Sequence, residues 1–393
     1  MEPGDGTSAT PGGAAEGLCD DSVVCTIRSP EWPARRLRRI LRYRRPFRYY
    51  RIVTRTRPSF GVRADPAARV IAAAWRCLTG GPAERDAARR TLVACSGGAD
   101  SAALAFALAG RSAGARAGIV LAHIVHDLRP TREALADRDR TKALAARLGI
   151  EFVEGVACVR SLKGNAEANA RRGRYAALRE LALKHGCRYV ATGHQGNDQL
   201  ETVLMRLLRG SGLRGLRAIR ASRGLGGDVV LVRPMLGVTR ADAERICASA
   251  AYEPAIDATN ADATRLRSAL RQEVVPILAR LNPAVHAHAT DAAAAIEQAQ
   301  RLVHRRANAL VRSSAIPLTK LKLAGPLVAG EAVLLAARRA AHDPQLTLPR
   351  RTLGAILRAI ATDAPRTRTF KHAGLIGTLT PKCFEWKPLR ART

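Results

Sequence analysis

The 393-residue chain is longer than one ordinary domain, and its 47% hydrophobic content is enough for at least one sizeable core. Its 65 Lys and Arg against 33 Asp and Glu give a formal charge of +32, pointing to a polyanionic partner, nucleic acid foremost; a high-GC genome explains Arg in place of Lys but not the excess over acids. The eight cysteines show no CxxC pair or zinc-like spacing, no stretch approaches the ~18 apolar residues that span a bilayer, and the N-terminus lacks a secretory signal's order, so disulfide, structural-metal and membrane classes are set aside for a soluble cytoplasmic protein.

Residues 1 to about 20 have the Gly, Ala, Pro, Ser and Thr-rich composition of a disordered start. From Arg28 to Arg63 there are 13 arginines and one acid, Glu31, interleaved with Trp32, Tyr43, Phe47, Tyr49, Tyr50 and Phe60. Such a mixture grips RNA through phosphates and stacked bases. A solvated tail, or sequence upstream of the true start codon, fits the same composition. A mitochondrial transit peptide fits less well, because the chain opens with Glu2, Asp5, Glu16, Asp20 and Asp21.

A helical approach over Ala67–Cys77 ends at a Gly-Gly-Pro break. Strand-like runs at Thr91–Ala94, Ala117–Ile124, Glu151–Val156 and Arg188–Thr192 then alternate with helix-like segments at Ser101–Leu108, Arg132–Leu148, Asn165–His185 and Asp198–Leu208. Short connections between alternating strands and helices predict a parallel sheet covered on both faces. From about Ala241 the strands stop. Ala241–Ala250, Thr264–Leu278 and His286–Val311 read as helices, punctuated by Pro254, Pro276 and Pro283. Beyond Leu321, helices are expected around Glu331–Ala341 and Thr352–Thr362, then a short strand pair from Arg368. No heptad run decides between a monomer and a homo-oligomer.

The string Ser96-Gly97-Gly98-Ala99-Asp100-Ser101 follows the first strand and opens a helix. Glycines at such a turn let backbone amides approach an anion, and the helix N-terminus adds partial positive charge. No GK[ST] follows, which excludes a Walker loop, and no third glycine is spaced for a dinucleotide fingerprint. A plain strand-to-helix turn capped by Ser96 or Asp100 is the alternative. The string resembles the pyrophosphate loop of the N-type ATP pyrophosphatases, which cleave ATP between the α and β phosphates and adenylate a carbonyl or amide oxygen. The resemblance implies that Ser96, Gly97, Gly98, Ala99 and Ser101 hold the phosphates of ATP, with Asp100 near them or Mg²⁺. A carboxylate beside phosphates calls for a cation between them.

Four further segments resemble, in order, those of the tRNA(Ile)-lysidine synthetase family. The first is His123-Ile-Val-His126-Asp127-Leu128-Arg129, where the family usually has glycine at the position of Asp127. The second, from Asn165 to Tyr175, matches an E-x-x-A-R-x-x-R-Y helix and sets Glu167, Arg171 and Arg174 on one face, the arrangement of a phosphate grip or of an ion-paired surface stripe. The third, Gly193-His194-Gln-Gly-Asn197-Asp198-Gln-Leu-Glu201-Thr202, continues to Arg209-Gly210-Ser211-Gly212 and is the most discriminating. Asp198 and Glu201 lie three apart in a helix's first turn, where acids are favoured anyway, and make a pocket for an ammonium group. A carboxylate there can also take the proton an amine must lose before it attacks. The fourth joins Arg233-Pro234-Met235 to Asp257, Thr259, Asn260 and Asp262, then Arg267-Ser268 and Arg271, with Ser268 where the family usually has Asn. Asp257 and Asn260 also suit capping of the following helix.

The resemblance covers roughly Thr91 to Pro283. It implies an α/β fold, with an adenine-nucleotide α-hydrolase-like (PP-loop) parallel-sheet domain, then a mainly helical domain and a small C-terminal segment. The expected division is an arginine-rich extension over 1–64, the ATP-pyrophosphatase domain over 65–245, a helical tRNA-binding domain over 246–320 and a C-terminal segment over 321–393. The implied reaction ligates L-lysine to C2 of the wobble cytidine of tRNA(Ile) with a CAU anticodon, through an adenylated cytidine, releasing pyrophosphate and AMP. It implies catalytic positions at Asp100, Arg171, Asp198 and Glu201, and nucleotide contacts from His126, His194 and Arg209. Two rivals stand beside it: a tRNA thiolation enzyme of the same superfamily, and a non-catalytic RNA-binding relic.

Overall fold

Alternate residues of each buried strand face opposite sides of a sheet, and this periodicity divides the first core in two. The computed structural model describes residues 61–81, 83–110, 113–126, 131–157, 166–255, 266–362 and 366–389. The arginine-rich stretch up to Phe60, Asp127 to Arg129, Asn165, and the segment holding Asp257, Thr259, Asn260 and Asp262 lie outside the described residues, as do the side chains of His126 and Glu167.

The first half of the chain runs α1 (Pro66–Leu78), β1 (Thr91–Ala94), α2 (Ala99–Ala109), α3 (Ala113–Ala117), β2 (Ile119–His126), α4 (Thr131–Leu148), β3 (Glu151–Ala157), α5 (Ala166–Lys184), β4 (Tyr189–Ala191), α6 (Gly196–Leu208) and α7 (Leu213–Leu216). It continues through β5 (Ser222–Gly226), β6 (Val229–Val232) and α8 (Arg240–Ser249). The strands form one sheet in the order β3-β2-β1-β4-β6-β5, parallel except for β5. Val93, Leu121, Phe152 and Val232 point to a layer made by α1, α2, α4 and α8, whereas Leu92, Val120, Val153 and Leu231 point to α5. Helix α2 is buried from Ser101 to Ala109, which its apolar sequence allows on every side.

The sequence reading places no strand between Leu208 and Ala241, and the structure corrects this. β5 and β6 pair through a two-residue loop, Gly227-Asp228, with φ of +61° at both positions. Left-handed residues at both central positions match the twist of a tight hairpin. β6 then lies parallel to β4 and widens the sheet beneath the site.

After the described part of the 246–265 region come α9 (Leu266–Ala269), a π turn (Leu270–Val274), α10 (Val275–Leu281) and the 26-residue α11 (Val285–Leu310). The chain ends with β7 (Ala315–Pro317), α12 (Leu318–Leu323), α13 (Gly325–Ala340), α14 (Arg350–Ala361), β8 (Arg368–His372), β9 (Leu375–Leu379) and β10 (Cys383–Pro388). The expected strand pair is thus a three-strand meander, joined by β7 into an antiparallel sheet of order β7-β10-β9-β8. Its core gathers Val333, Ala337, Ile356, Leu379, Phe384 and Trp386, and the indole N–H of Trp386 donates to the carbonyl of Val333 at 3.1 Å.

Neither core stops at residue 245 or 320. Ala243, Ile246, Cys247 and Ala250 of the α8 region pack into the first core, and Ala307 of α11 into the last. The stretch after α6 is also tied to the C-terminal part. Glu331, buried on α13, accepts from Arg214 (3.4 Å) and Gln300 (3.1 Å) and pairs with His304 (3.0 Å), while Arg350 donates to the carbonyl of Gly210 at 3.0 Å. No helix among the described residues is long and apolar enough to cross a membrane.

Candidate active site

The C-terminal ends of parallel strands, with helix N-termini beside them, form a natural crevice for phosphates. Here β1 ends in Cys95, and the Ser96–Ser101 loop turns into α2 with Gly97 at φ +87°, a conformation that suits glycine. The Ser101 hydroxyl stitches the loop together, accepting from the Ser96 amide (3.2 Å) and donating to the Gly98 carbonyl (3.0 Å). The Gly97 carbonyl accepts from the Ala255 amide (3.0 Å) and the Tyr252 hydroxyl (3.2 Å), so it points away from any bound anion. The first-turn amides of α2 have no acceptors within the helix and are available to phosphate oxygens.

Asp100 stands on that first turn. Its Oδ1 is buried with no hydrogen-bond partner, and Arg240 Nη2 lies 4.0 Å from Oδ2. Burial raises its pKa to about 6, opposed by Arg240 and reinforced by the neighbouring charge of Asp198. An orphaned carboxylate oxygen beside a phosphate cradle fits a divalent cation. Among the described residues no three His, Cys, Asp or Glu side chains converge on one point. Mg²⁺ suits this, because it commonly takes one or two carboxylates and completes its shell with phosphate oxygens and water.

β4 delivers the second wall. Thr192 and Gly193 follow it, and His194 Nδ1 lies 3.0 Å from the Thr192 hydroxyl. Burial, then the charges of Arg233, Arg171, Arg174 and Arg267, hold the His194 pKa well below its usual value, so the imidazole is neutral. The arginines form a cluster around Tyr175. Arg223, Arg171 and Arg174 stand 4.7, 5.4 and 5.8 Å from its ring centroid. Burial opposes ionisation of the phenol, but Arg171, Arg233 and Arg174 outweigh it and lower its pKa. The buried Arg233 lies near the Tyr175 hydroxyl without hydrogen-bonding geometry. Concentrated positive charge with guanidinium groups over a ring is chemistry that suits a phosphate and a base.

The start of α6 forms the third wall. Gln195 caps the helix, accepting from the Asn197 amide at 2.6 Å, and Asp198 Oδ2 accepts from the Gln195 amide at 3.1 Å. Asn197 Oδ1 accepts from the Arg240 amide at 3.0 Å, which links this corner to α8 and thus to the arginine beside Asp100. The acidic pair is already engaged. Arg267 donates to Asp198 Oδ1 and to Glu201 Oε2, both at 2.7 Å, and Arg271 Nε donates to Glu201 Oε1 at 2.7 Å.

The structure therefore brings together the loop, Asp100, His194, Asp198, Glu201 and Arg171. Arg209 stands apart: it is exposed at the other end of α6, eleven residues beyond Asp198, a rise of about 16 Å along the helix. His126 ends β2, whose neighbour β1 leads into the loop. Sequence reasoning missed Arg240, which only the fold of α8 brings to Asp100, and Arg223, which lies on the unexpected β5. Tyr175, read as part of a motif, proves to be the hub of the arginine cluster.

The sequence profile of the PP-loop domain family matches residues 77–278. Fold, loop and match together define the chain as a PP-loop protein. Among curated proteins, a tRNA(Ile)-lysidine synthase of a Nostoc species is 32% identical over 285 residues, covering 72% of this chain and 81% of that one. Proteins of the same name from Salinispora tropica and Thermobifida fusca are 44% and 40% identical over 203 and 219 residues, of which the chain spans 58% and 63% of the relatives' lengths. The chain belongs to the tRNA(Ile)-lysidine synthase family.

Proposed function

We propose that the chain is an ATP-dependent carbon–nitrogen ligase that joins L-lysine to C2 of the wobble cytidine of a CAU-anticodon tRNA(Ile), through an adenylated cytidine. One observation carries this reading: Asn197, next to Asp198, accepts from the amide of Arg240, whose guanidinium stands 4.0 Å from Asp100 on the phosphate loop, so an anion cradle and a carboxylate for an amine face one crevice. ATP cleaved between the α and β phosphates converts the C2 oxygen into a leaving phosphate ester, and the work left to the protein is positioning and charge neutralisation.

Each group has a part in that work. The loop amides and Ser96 receive the pyrophosphate, and Asp100 faces it from the first turn of α2. Mg²⁺, arriving with ATP, would be held by Asp100 and would supply positive charge between carboxylate and phosphates. Arg171, Arg174 and Arg233 orient the phosphate joining adenosine to the base, and His194 offers a neutral imidazole that adds no charge of its own. The amine is held and deprotonated on the Asp198 side. The 65–245 region supplies these groups, and the helical and C-terminal parts supply RNA contacts, as does the basic surface including Arg209.

A thiolation reading needs a sulfur carrier. Cys95 and Cys247, the thiols beside the loop, are buried and their pKa values are raised, the latter to about 12, which disfavours the reactive thiolate. The test is ATP–pyrophosphate exchange with CAU-anticodon tRNA(Ile), with radiolabelled lysine as the acceptor. Exchange that requires this tRNA, with lysine entering the RNA, supports the ligase. Sulfur incorporation, or RNA binding without exchange, would replace it with one of the rivals.

A further inference from the structure

The two carboxylates of the third wall are not equivalent. Glu201 is 1% exposed and accepts three N–H groups, from Arg271 Nε (2.7 Å), Arg271 Nη2 (3.1 Å) and Arg267 Nε (2.7 Å). Two of these contacts come from Arg271 and remain when Arg267 moves, and burial disfavours a substrate at the other acceptor positions of the carboxylate. Asp198 is different. Its Oδ2 takes the Gln195 amide, its Oδ1 takes Arg267 Nη2 at 2.7 Å, and Arg271 Nη2 stands off at 3.8 Å. The Arg267 side chain is 36% exposed and stands on the single turn of α9, whose backbone runs on into the π turn, a form of helix that recurs at functional sites.

We propose that Arg267 is a positioning residue that couples RNA to the amine: its guanidinium occupies the ammonium's place on Asp198 until an RNA phosphate draws it away. On this division Asp198 is the carboxylate that receives the amine, and Glu201 anchors Arg271 and keeps the arginine-bearing turn within reach. The inference rests on the lysine-ligase reading above. No covalent bond changes in the exchange. Asp198 Oδ1 trades a guanidinium N–H for an ammonium N–H, and the released fork takes two phosphate oxygens, a geometry guanidinium matches well.

Charge explains why the steps are coupled. If an ammonium displaced Arg267 with no phosphate near, three cations would crowd around one half-buried and one buried carboxylate. With a phosphate present every charge keeps a partner, so desolvation is compensated on both sides. Linkage then requires that RNA tighten amine binding by the same factor as the amine tightens RNA binding. The order of events follows: the amine site opens only when the base to be modified is in place.

The experiment is calorimetric titration of the full-length protein with L-lysine, with and without a CAU anticodon stem-loop RNA, no ATP being present. The wild type should bind lysine about tenfold more tightly with RNA, in the usual range of such couplings. Arg267→Met keeps the aliphatic stem and should bind lysine equally well in both conditions. Glu201→Gln should weaken RNA binding and leave lysine affinity of the RNA complex within about threefold, whereas Asp198→Asn should abolish lysine binding in the RNA complex. Wild-type coupling in Arg267→Met, or loss of lysine affinity in Glu201→Gln equal to that in Asp198→Asn, would overturn the proposal. If Arg267→Met does not fold by circular dichroism, Arg267→Lys takes its place and should show coupling reduced below the wild type; full coupling overturns the proposal there too. Wild type that transfers no lysine to tRNA would remove the ligase reading itself, and the inference with it; transfer with unaltered coupling in the variant removes the inference alone.

Discussion

A Cβ on Gly193 would lie 2.9 Å from the carbonyl carbon of Asp100 and 3.1 Å from the amide nitrogen of Ser101, so the end of β4 touches the first turn of α2 backbone to backbone. The phosphate-binding turn and the His194 corner are thereby held at a separation that no side chain can share. Gly193→Ala must push them apart. It should destabilise the protein by about 1–3 kcal/mol, as overpacking typically does. ATP-dependent pyrophosphate exchange should fall more than stability does, which thermal melts and exchange assays on one preparation will compare.

Asp100 gives a pH signature. Its pKa is raised to about 6 in the folded chain, against ~3.9 for a free aspartate, so the folded state holds the proton more tightly. The cost of the buried charge is absent below about pH 4 and grows as the pH rises through about 6. Asp100→Asn removes it, and should stabilise the unliganded protein above pH 6 by about 1–2 kcal/mol, with no gain at pH 4. The same variant should lose pyrophosphate release by at least about 100-fold. Melting temperature against pH, beside an exchange assay, separates the two effects.

His194 should stay silent where a free imidazole titrates, near pH 6.5. Burial and four arginines depress its folded pKa, so acid stabilises the unfolded chain by protonating the freed histidine, and the contribution is lost as the pH falls below that range. An NMR titration should show the His194 ring unchanged from pH 8 to pH 6. A midpoint inside that interval would show that the arginines do not surround it.

Glu331 is 4% exposed at its side chain and serves Arg214, Gln300 and His304 together. Glu331→Ala leaves three cationic or polar groups without their acceptor and should cost about 3 kcal/mol in urea unfolding. Because Arg214 follows the Arg209–Gly212 string, exchange activity should also drop under conditions where the variant remains folded.

What the sequence made legible was local. β1 and β3 lie where their apolar runs are, and the motif around His194 announces a strand end followed by a helix start, which the Gln195 cap and Asp198 confirm. β5 escaped because Ser-Arg-Gly-Leu-Gly has neither β-branched residues nor clean alternation, although the following Gly-Asp is a hairpin signal. Pairing across distance was invisible. Arg267 and Arg271 fall in the segment expected to bind tRNA, and nothing in a linear string says that a turn 66 residues downstream of Glu201 folds back onto it. The same holds for Arg240 beside Asp100, 140 residues apart and joined only by the packing of α8 on α2.

The 26 residues of α11 span about 39 Å, with His286 and Thr290 at one end beside Asn197 and Leu236, and Ala307 at the other inside the C-terminal core. A rod hydrogen-bonded to the first part of the chain at one end and built into the C-terminal core at the other leaves no neutral seam at which to cut. Chimeras that exchange C-terminal regions among relatives of different length should therefore be joined ahead of Val285, and should carry the Glu331 partners as a set. Grafts made at residue 320 would splice one homologue's rod to another's socket.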